Sequence, residues 1–370
     1  MDPENGENPP RLRPDGTPLR RGWTTGACAT AATKSALAAL LDGDFLDPVS
    51  ITLPGGQTPS FALAHEALGP GYAEAGIVKD AGDDPDVTHG ALVLARVRAG
   101  APGAGVTFHA GKGVGTVTKP GLPLGVGEPA INPVPRRLMT AVVAELAAAH
   151  GVEPDFAITV SARDGEKLAE KTWNPRLGIL GGLSILGTTG IVVPYSCAAW
   201  IHSIHRGIDV ARALGVTHVV GSTGDASERA AMARLALPVE AYLDMGDFAG
   251  GLLKYLKGHP VARLTISGGF AKITKLAQGE MDLHSGRSTV DLSFLAEMLQ
   301  ERGLGRQDVE RVTAANTANE VLTIAAAAGI ALADAVAERA REQAQRRVGQ
   351  ASRVDVMVVD RSGVIVGESG

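Results

Sequence analysis

The sequence predicts two domains of different class. We expect an α+β domain over residues 19–195, followed by a Rossmann-like α/β domain with a mostly parallel sheet over residues 196–370. A length of 370 residues is typical of two domains. Strand-like runs with helices to one side dominate before about Pro194, whereas strands alternate with helices after it, and that alternation indicates a parallel sheet.

The composition is typical of a globular protein with a large core, since 45% of residues are hydrophobic and 20% are charged. A net charge of −5 disfavours a nucleic-acid partner. Two distant cysteines, Cys28 and Cys197, favour a reducing compartment over a disulfide framework. Residues 1–18 are polar and proline-rich, which predicts a flexible tail and no signal peptide. No apolar run is long enough for a membrane, so we expect a cytoplasmic protein, and a homo-oligomer is possible.

In the first domain, the alanine-rich run predicts a helix from about Thr25 to Leu41. Residues 49–117 are predicted to be mostly strands separated by Gly, Pro and Asp turns. A second helix is predicted to follow Asn132-Pro133 and to stop at Gly151, and a further strand is predicted in DFAITVSA, residues 155–162.

In the second domain, the pattern predicts a helix over residues 199–215 and a strand running into a glycine loop over residues 217–224. The elements predicted after them are a helix at 225–237, strands at 238–247 and 259–269, helices at about 292–302 and 318–347, and a closing strand at 353–360.

The glycine loop is a candidate cofactor site. Gly221, Ser222, Thr223 and Gly224 lie between a buried strand and a helix start, where free backbone N–H groups face a ligand. Asp244 ends the next predicted strand, where an acid commonly binds a ribose hydroxyl. The pattern fits an adenosine cofactor or a dinucleotide. Because G-x-G-x-x-G is absent, a tight turn without a ligand is also open.

A second candidate is the acidic segment IVKDAGDDPDVTHGA, residues 77–91. Its carboxylates include Asp80, Asp83 and Asp84, which are candidate catalytic residues because a carboxylate can act as a general base or face a cation. The alternative is a solvated Asp/Pro/Gly turn.

Candidate substrate-binding residues lie in loops that combine glycine with cations or hydroxyl groups. Residues 109–137 and 171–196 suit a bulky anionic ligand, because Arg grips carboxylates in a bidentate manner. Thr24 or Thr25 can cap the first helix, and the free N–H groups around Gly26–Cys28 can hold an anion such as a substrate carboxylate. The candidates are Thr24, Thr25, Gly26, Lys112, Lys119, Arg136, Arg176, Thr188, Thr189, His284 and Ser285. Ordered surface loops are the alternative.

Familiar hydrolase and NTPase motifs are absent, and we predict no protein metal site. Five segments together resemble one family: GWTTGACATAATKSAL, VKDAGDDPDVTHGA, GKGVGTVTKPGLPLGVGEPAINPVPR, NPRLGILGGLSILGTTGIVVPYS and MDLHSGRS. In order and wording they resemble the cobalt-precorrin-5B C(1)-methyltransferase family of anaerobic cobalamin biosynthesis. The resemblance covers nearly the whole chain.

The resemblance implies methyl transfer from S-adenosylmethionine to C-1 of cobalt-precorrin-5B, giving cobalt-precorrin-6A. The cobalt would arrive inside the substrate. Such a transfer requires no protein nucleophile, so we expect Cys28 to be a packed residue, although a helix N-terminus can lower a thiol pKa. The alternatives are an NAD-dependent dehydrogenase and a non-catalytic carrier of a corrinoid intermediate.

Overall fold

The computed structural model describes residues 12–13 and 15–370. The chain divides into two compact units, Met1–Cys197 (unit 1) and Ala198–Gly370 (unit 2). Most of the tail predicted over residues 1–18, namely 1–11 and 14, lies outside the described residues. In the described part, the Arg13 N–H donates to the Thr17 carbonyl over 2.8 Å.

Unit 1 contains short strands, one longer sheet and three helices. Its elements in chain order are β1 (Gly22–Trp23), α1 (Thr25–Asp42), β2 (Val49–Ser50), β3 (Ser60–Phe61), β4 (His65–Gly69), β5 (Tyr72–Val78), β6 (Leu92–Ala99), β7 (Thr107–Ala110), β8 (Gly113–Val114), β9 (Thr116–Val117), α2 (Pro133–His150), β10 (Phe156–Ala162), α3 (Gly165–Ala169), β11 (Ile179–Leu180), β12 (Gly182–Leu183) and β13 (Ile191–Val192).

The main sheet of unit 1 has the strand order β4-β5-β6-β10-β7. Its neighbouring strands are antiparallel except β10 and β7, which are parallel. Helix α1 packs against β5, β6 and α2, so the core of the unit lies between this sheet and the helices. Four two-stranded pairs complete the unit, formed by β1 with β13, β2 with β3, β8 with β12, and β9 with β11.

Helix α1 lies at the centre of that core and is buried on nearly all sides. The Thr24 side chain accepts a hydrogen bond from the Ala27 N–H and starts the helix, and Gly43 ends it with a left-handed φ of 89°. Alanines such as Ala31 and Ala32 are fully buried, because a small side chain lets neighbouring backbones approach. Leu37 is fully buried in the same core.

Unit 2 alternates strands with helices. Its elements in chain order are α4 (Cys197–Ala213), β14 (His218–Ser222), α5 (Asp225–Leu235), β15 (Tyr242–Asp244), α6 (Ala249–Gly258), β16 (Arg263–Gly269), α7 (Phe270–Ala277), α8 (Leu292–Gln300), α9 (Arg306–Thr313), α10 (Ala318–Ala327), α11 (Leu332–Val348), β17 (Arg353–Val359) and β18 (Ile365–Ser369). A 3₁₀ turn, Val239–Ala241, precedes β15.

The sheet of unit 2 has the strand order β15-β14-β16-β17-β18. The first four strands are parallel, and β18 pairs antiparallel to β17. Alternate residues of β14 pack in two different hydrophobic clusters. Val219 packs with α4 and α6, whereas Val220 packs with α5. Helices therefore cover both faces of the sheet, and all five central residues of β16 are buried.

The structure confirms the coarse prediction of a mixed α/β chain and corrects several of its elements. The helix predicted over 318–347 is two helices, α10 and α11, because Gly329 takes a left-handed φ of 70° between them. The strand predicted to close the chain is followed by another, β18, after a turn at Asp360–Gly363. Helices α6, α7 and α9 were not predicted.

Candidate functional site

A cavity of about 430 Å³ lies in unit 2 at the carboxyl ends of β14, β16 and β17. Since β15 and β16 lie on opposite sides of β14, the chain reverses its direction of sheet growth there, and ligands bind open α/β sheets at such points. The lining residues come from four segments: Thr223, Gly224, Asp225, Ala226, Ser227; Gly269, Phe270, Ala271, Lys272; Thr317, Ala318, Asn319; and Val359, Asp360, Arg361.

Three helices begin at this cavity. The N-caps of α5, α7 and α10 are Gly224, Gly269 and Thr317, and all three line the cavity. The first N–H groups of a helix have no acceptor inside the helix, and neither glycine supplies a side-chain cap. The positive ends of three helix dipoles therefore meet around one space.

The wall of the cavity depends on a backbone conformation and on one lysine. Gly224 has φ 154° and ψ 173°, a combination that essentially only glycine adopts. Lys272, in the first turn of α7, donates from Nζ to the Thr223 carbonyl over 2.8 Å and lies 3.0 Å from Asp247 Oδ1. This one ammonium group thus ties the loop after β14 to the loop after β15.

Of the predicted cofactor residues, Thr223 and Gly224 line the cavity, whereas Gly221, Ser222 and Asp244 do not. A side chain at Gly221 would meet Leu252, so that residue serves packing. Ser222 is fully buried beside the loop. Asp244 ends the outer strand β15, so its predicted contact with a ribose stays a prediction that this cavity does not support.

Sequence reasoning missed three of the four lining segments. The segment Gly269–Lys272 repeats the strand–glycine–helix pattern of the predicted loop, so it offered a local signal. The T-x-x-E sequence Thr317–Glu320 marked the start of α10: Thr317 Oγ1 accepts from the Glu320 N–H, and the Glu320 carboxylate accepts from the Asn316 N–H. Val359–Arg361 offered no comparable signal, because only the sheet order brings the end of β17 to the cavity.

In unit 1, the acidic segment is held in ion pairs and hydrogen bonds. Asp80 pairs with the Arg20 guanidinium, whose hydrogen bonds hold the pKa of the Asp80 carboxyl at about 2. The backbone N–H of Arg20 donates to Asp83 over 2.7 Å and, with the Arg13 guanidinium, lowers the pKa of Asp83. Asp84 accepts from the Tyr195 N–H over 2.7 Å.

These contacts bear on the catalytic role that the sequence predicts for the acids. A carboxylate with a depressed pKa takes up a proton weakly, so Asp80 and Asp83 are poor general bases near neutral pH. Their contacts instead fasten the chain around Arg20 to the acidic turn. Beside them, the fully buried Lys79 ammonium pairs with Oδ2 of the partly exposed Asp86 over 2.5 Å, so the turn contains an ion pair with one buried partner.

Two glycines let the same chain segments meet backbone to backbone. A Cβ atom added to Gly22 would lie 2.1 Å from the Ala81 carbonyl carbon. One added to Gly82 would lie 2.2 Å from the Arg20 carbonyl oxygen. A hydrogen bond from the Trp23 N–H to the Asp80 carbonyl, which measures 2.7 Å, also joins the two segments.

At the start of α1, the backbone donors that the sequence offers to an anion have partners within unit 1. The Gly26 N–H donates to the Leu186 carbonyl over 3.0 Å, and the Ala27 N–H donates to Thr24 Oγ1 over 3.1 Å. The Thr25 hydroxyl accepts from the Leu186 N–H over 3.0 Å. Thr24, Thr25 and Gly26 are all buried, so the helix start is covered by the 186–190 loop.

Cys28 is fully buried in the first turn of α1. Burial away from water disfavours the thiolate and raises the pKa of the Cys28 thiol to about 12, which outweighs the opposing effects of Lys79 and of a backbone hydrogen bond. The side chain is a packed residue, as the sequence predicts.

The predicted cations of unit 1 have different surroundings. Arg136 donates to the carbonyls of Ile131 and Pro129 over 2.8 and 3.1 Å, so much of its hydrogen-bonding capacity is used within its own loop. The Arg176 guanidinium lies 5.8 Å from the centre of the Trp173 ring. Lys119 is partly buried, and the Lys112 side chain is exposed.

The remaining predicted residues lie on exposed loops. Thr188 and Thr189 are exposed, and the Thr189 hydroxyl bonds the backbone of Ile191. In unit 2, His284 and Ser285 are exposed, and His284 Nδ1 accepts from the Gly286 N–H over 3.0 Å. Neither His284 nor Ser285 is among the residues that line the cavity.

Within residues 12–13 and 15–370, no group of three or more His, Cys, Asp or Glu side chains has a metal-binding arrangement. Over the same part of the chain, no helix combines the length and the apolar character that crossing a membrane requires.

The fold and the cavity define a class: a mixed α/β protein with a cavity at the carboxyl ends of parallel strands. The chain belongs to the CbiD family. The CbiD family matches residues 13–194, and the CbiD C-terminal domain matches residues 282–370. The family resemblance seen in the sequence is thereby confirmed.

Relatives with a stated activity match nearly the whole chain. The cobalt-precorrin-5B C(1)-methyltransferase of Rhodospirillum rubrum is 61% identical over 357 residues, which cover 96% of this chain and 99% of the relative. The protein of the same name from Brucella anthropi is 59% identical over 349 residues, covering 94% and 95%. The crystal structure of a cobalamin biosynthesis protein (cbiD) from Archaeoglobus fulgidus is 26% identical, with a TM-score of 0.41, and covers 73% of this chain and 84% of that one.

We expect Gly22→Ala to destabilise unit 1 by about 1–3 kcal/mol, because its Cβ would overlap backbone atoms rather than a flexible side chain. Gly125→Ala is the matched control, since its Cβ would meet only ordinary contacts beyond 3.7 Å. Urea denaturation of the two variants checks the difference. Equal midpoints would contradict the close backbone contact.

We expect Cys28 to resist alkylation by iodoacetamide in the native protein at pH 8, because the thiolate is the reactive form and the pKa of its thiol is about 12. The measurement is mass spectrometry of the modified peptides, using Cys197→Ser to remove the other thiol. Alkylation in denaturant provides the positive control. Rapid stoichiometric labelling of the native protein would show that Cys28 is accessible.

Proposed function

We propose that this protein is an S-adenosylmethionine-dependent methyltransferase that methylates C-1 of cobalt-precorrin-5B to give cobalt-precorrin-6A. One observation carries the proposal: 61% identity across nearly the full length of a relative that bears the name of this activity. No relative cited above is named a dehydrogenase or a carrier, so the two alternatives have no comparable support.

The reaction requires little direct chemical participation by protein side chains. A bond forms between C-1 of the macrocycle and the methyl carbon, the bond from that carbon to the sulfonium sulfur breaks, and S-adenosylhomocysteine leaves with the electron pair. The donor is itself activated, so no protein nucleophile is needed. Catalysis then consists of aligning donor and acceptor and of excluding water. A buried, unreactive Cys28 agrees with this chemistry.

We place S-adenosylmethionine in the cavity of unit 2. A volume of about 430 Å³ is within the usual range for a small-molecule site. Thr223 and Gly224 are the predicted cofactor residues that line it, and Phe270 and Val359 add apolar surface for an adenine ring. In this proposal residues 196–370 form a Rossmann-like cofactor domain, which the four parallel strands support.

We assign the macrocycle, with its many carboxylates, to residues 19–195. The exposed Lys112 and the guanidinium of Arg176 are the cations proposed for carboxylate binding there. Thr188 and Thr189 provide hydroxyl groups on an exposed loop of the same unit. Arg136 contributes less to this role, since its guanidinium already bonds two backbone carbonyls. Cobalt enters as part of the substrate.

The proposal is tested by incubating cobalt-precorrin-5B with the protein and methyl-labelled S-adenosylmethionine, and by measuring the mass of the macrocycle. We expect the gain of one labelled methyl group. Thermal unfolding with S-adenosylhomocysteine or NAD separates the alternatives, because a ligand that binds the native state raises the melting temperature. Stabilisation by NAD alone would favour a dehydrogenase, and binding of the macrocycle without methylation would favour a carrier.

We expect Gly269→Leu to block the cavity and lower the affinity for S-adenosylhomocysteine by at least about tenfold, because a side chain there enters open space at the cavity wall. Gly305→Leu is a closely matched control. Both glycines are helix N-caps with φ near −62° and ψ near 150°, both have open space around them, and only Gly269 lines the cavity. Calorimetric titration measures both variants, and equal affinities would place the cofactor elsewhere.

A further inference from the structure

We propose that the cavity of unit 2 has a defined carboxylate subsite, in which Arg361 and the first turns of α5 and α7 bind the carboxylate of the cofactor's amino-acid group. The inference rests on the proposed function, and it adds the orientation of the cofactor and a specificity residue. It starts from the charges of the groups that line the cavity.

Four charged side chains line the cavity, two of each sign: Lys272, Arg361, Asp225 and Asp360. The Asp225 side chain is 95% exposed and lies 3.6 Å from Arg229, so it is directed largely to solvent. Asp360 Oδ1 accepts three hydrogen bonds from its own turn, from the N–H and hydroxyl of Ser362 and from the Val364 N–H. The Asp225 carboxylate is therefore directed largely to solvent, and Oδ1 of Asp360 is held against its own turn.

The two positive groups differ in their partners. Arg361 lies two residues after the end of β17, and within the described part of the chain no carboxylate lies within ion-pair distance of its guanidinium. Lys272 has a side-chain partner in Asp247, and its ammonium also bonds the Thr223 carbonyl, which fixes that charge at the wall. The unsatisfied N–H groups at the starts of α5 and α7 add two helix dipoles of the same sign.

A buried hydroxyl at the same place also lacks a partner. Ser222 is fully buried at the end of β14, and its Oγ has no hydrogen-bond partner among the described residues. Side chains alternate along a strand, so Ser222 faces the side of the sheet covered by α5, opposite to Gly221. On that side its neighbour Ser267 donates to the carbonyl of Ser227, a lining residue. Ser222 does not itself line the cavity, but it directly precedes Thr223 and Gly224, which do.

The charges on the cofactor determine which of its groups enters this subsite. S-adenosylmethionine carries two positive groups, the sulfonium and the ammonium, and its carboxylate is its only anion. Helix N-termini and a guanidinium favour the carboxylate and disfavour the sulfonium. The carboxylate therefore faces α5 and α7, and the sulfonium with its methyl group is held away from them.

The test compares two ligands that differ only in the carboxylate: S-adenosylhomocysteine and its decarboxylated analogue, the adenosine thioether that carries an aminopropyl group. We expect the full-length protein to bind S-adenosylhomocysteine about tenfold more tightly than the analogue. Arg361→Gln should reduce that ratio by about fivefold and leave the affinity for the analogue nearly unchanged. Calorimetric titration gives all four dissociation constants.

Arg306→Gln is the matched control, because Arg306 is an exposed arginine of unit 2 that does not line the cavity. It should leave the ratio at the wild-type value. If the wild-type protein binds both ligands equally, or if Arg361→Gln keeps the ratio, the carboxylate subsite is wrong and the proposed cofactor stands. If neither ligand binds while NAD does, the proposed cofactor and the subsite are both overturned.

Discussion

The parallel pairing of β14, β16 and β17 is the constraint on which the candidate site depends. Parallel strands end at the same edge of a sheet, so the helices that follow them begin there as well. Helices α5 and α7 thus present their N-termini to one space, and the start of α10 closes it. The electrostatic character of the cavity is consequently a property of the backbone, to which Lys272 and Arg361 add charge.

Unit 1 uses its charged residues differently. Its densest group of acids holds the segment around Arg20 against the turn at residues 80–86, and the buried Lys79 pairs with Asp86 beside it. Acidic clusters are attractive candidates for catalysis, but carboxylates that accept several hydrogen bonds have low pKa values and little tendency to take a proton. The displacement step of a methyl transfer needs no general base. A structural role for these carboxylates is therefore consistent with the proposed reaction.

Local signals in the sequence predicted the elements that depend on a few neighbouring residues. Thr24 and Gly43 mark the two ends of α1 through their own capping geometry. The loop that ends at Gly224 was indicated by a strand, a glycine and a helix start in succession. The partners of these elements could not be predicted, because they depend on contacts between distant residues. The Leu186 carbonyl that covers the start of α1 is 161 positions from Thr25, and Arg361 reaches the cavity only through the order of the strands.

The burial of α1 has a consequence for local unfolding. An amide exchanges its hydrogen with water only when the surrounding structure opens, and the free energy of that opening varies across a protein. Helix α1 is covered by the β5–β6 part of the sheet, by α2 and by the loop at Leu186, so none of these can leave without exposing its alanines. The amides at its centre therefore exchange only when unit 1 opens as a whole, and their exchange rate reports the global stability of the unit.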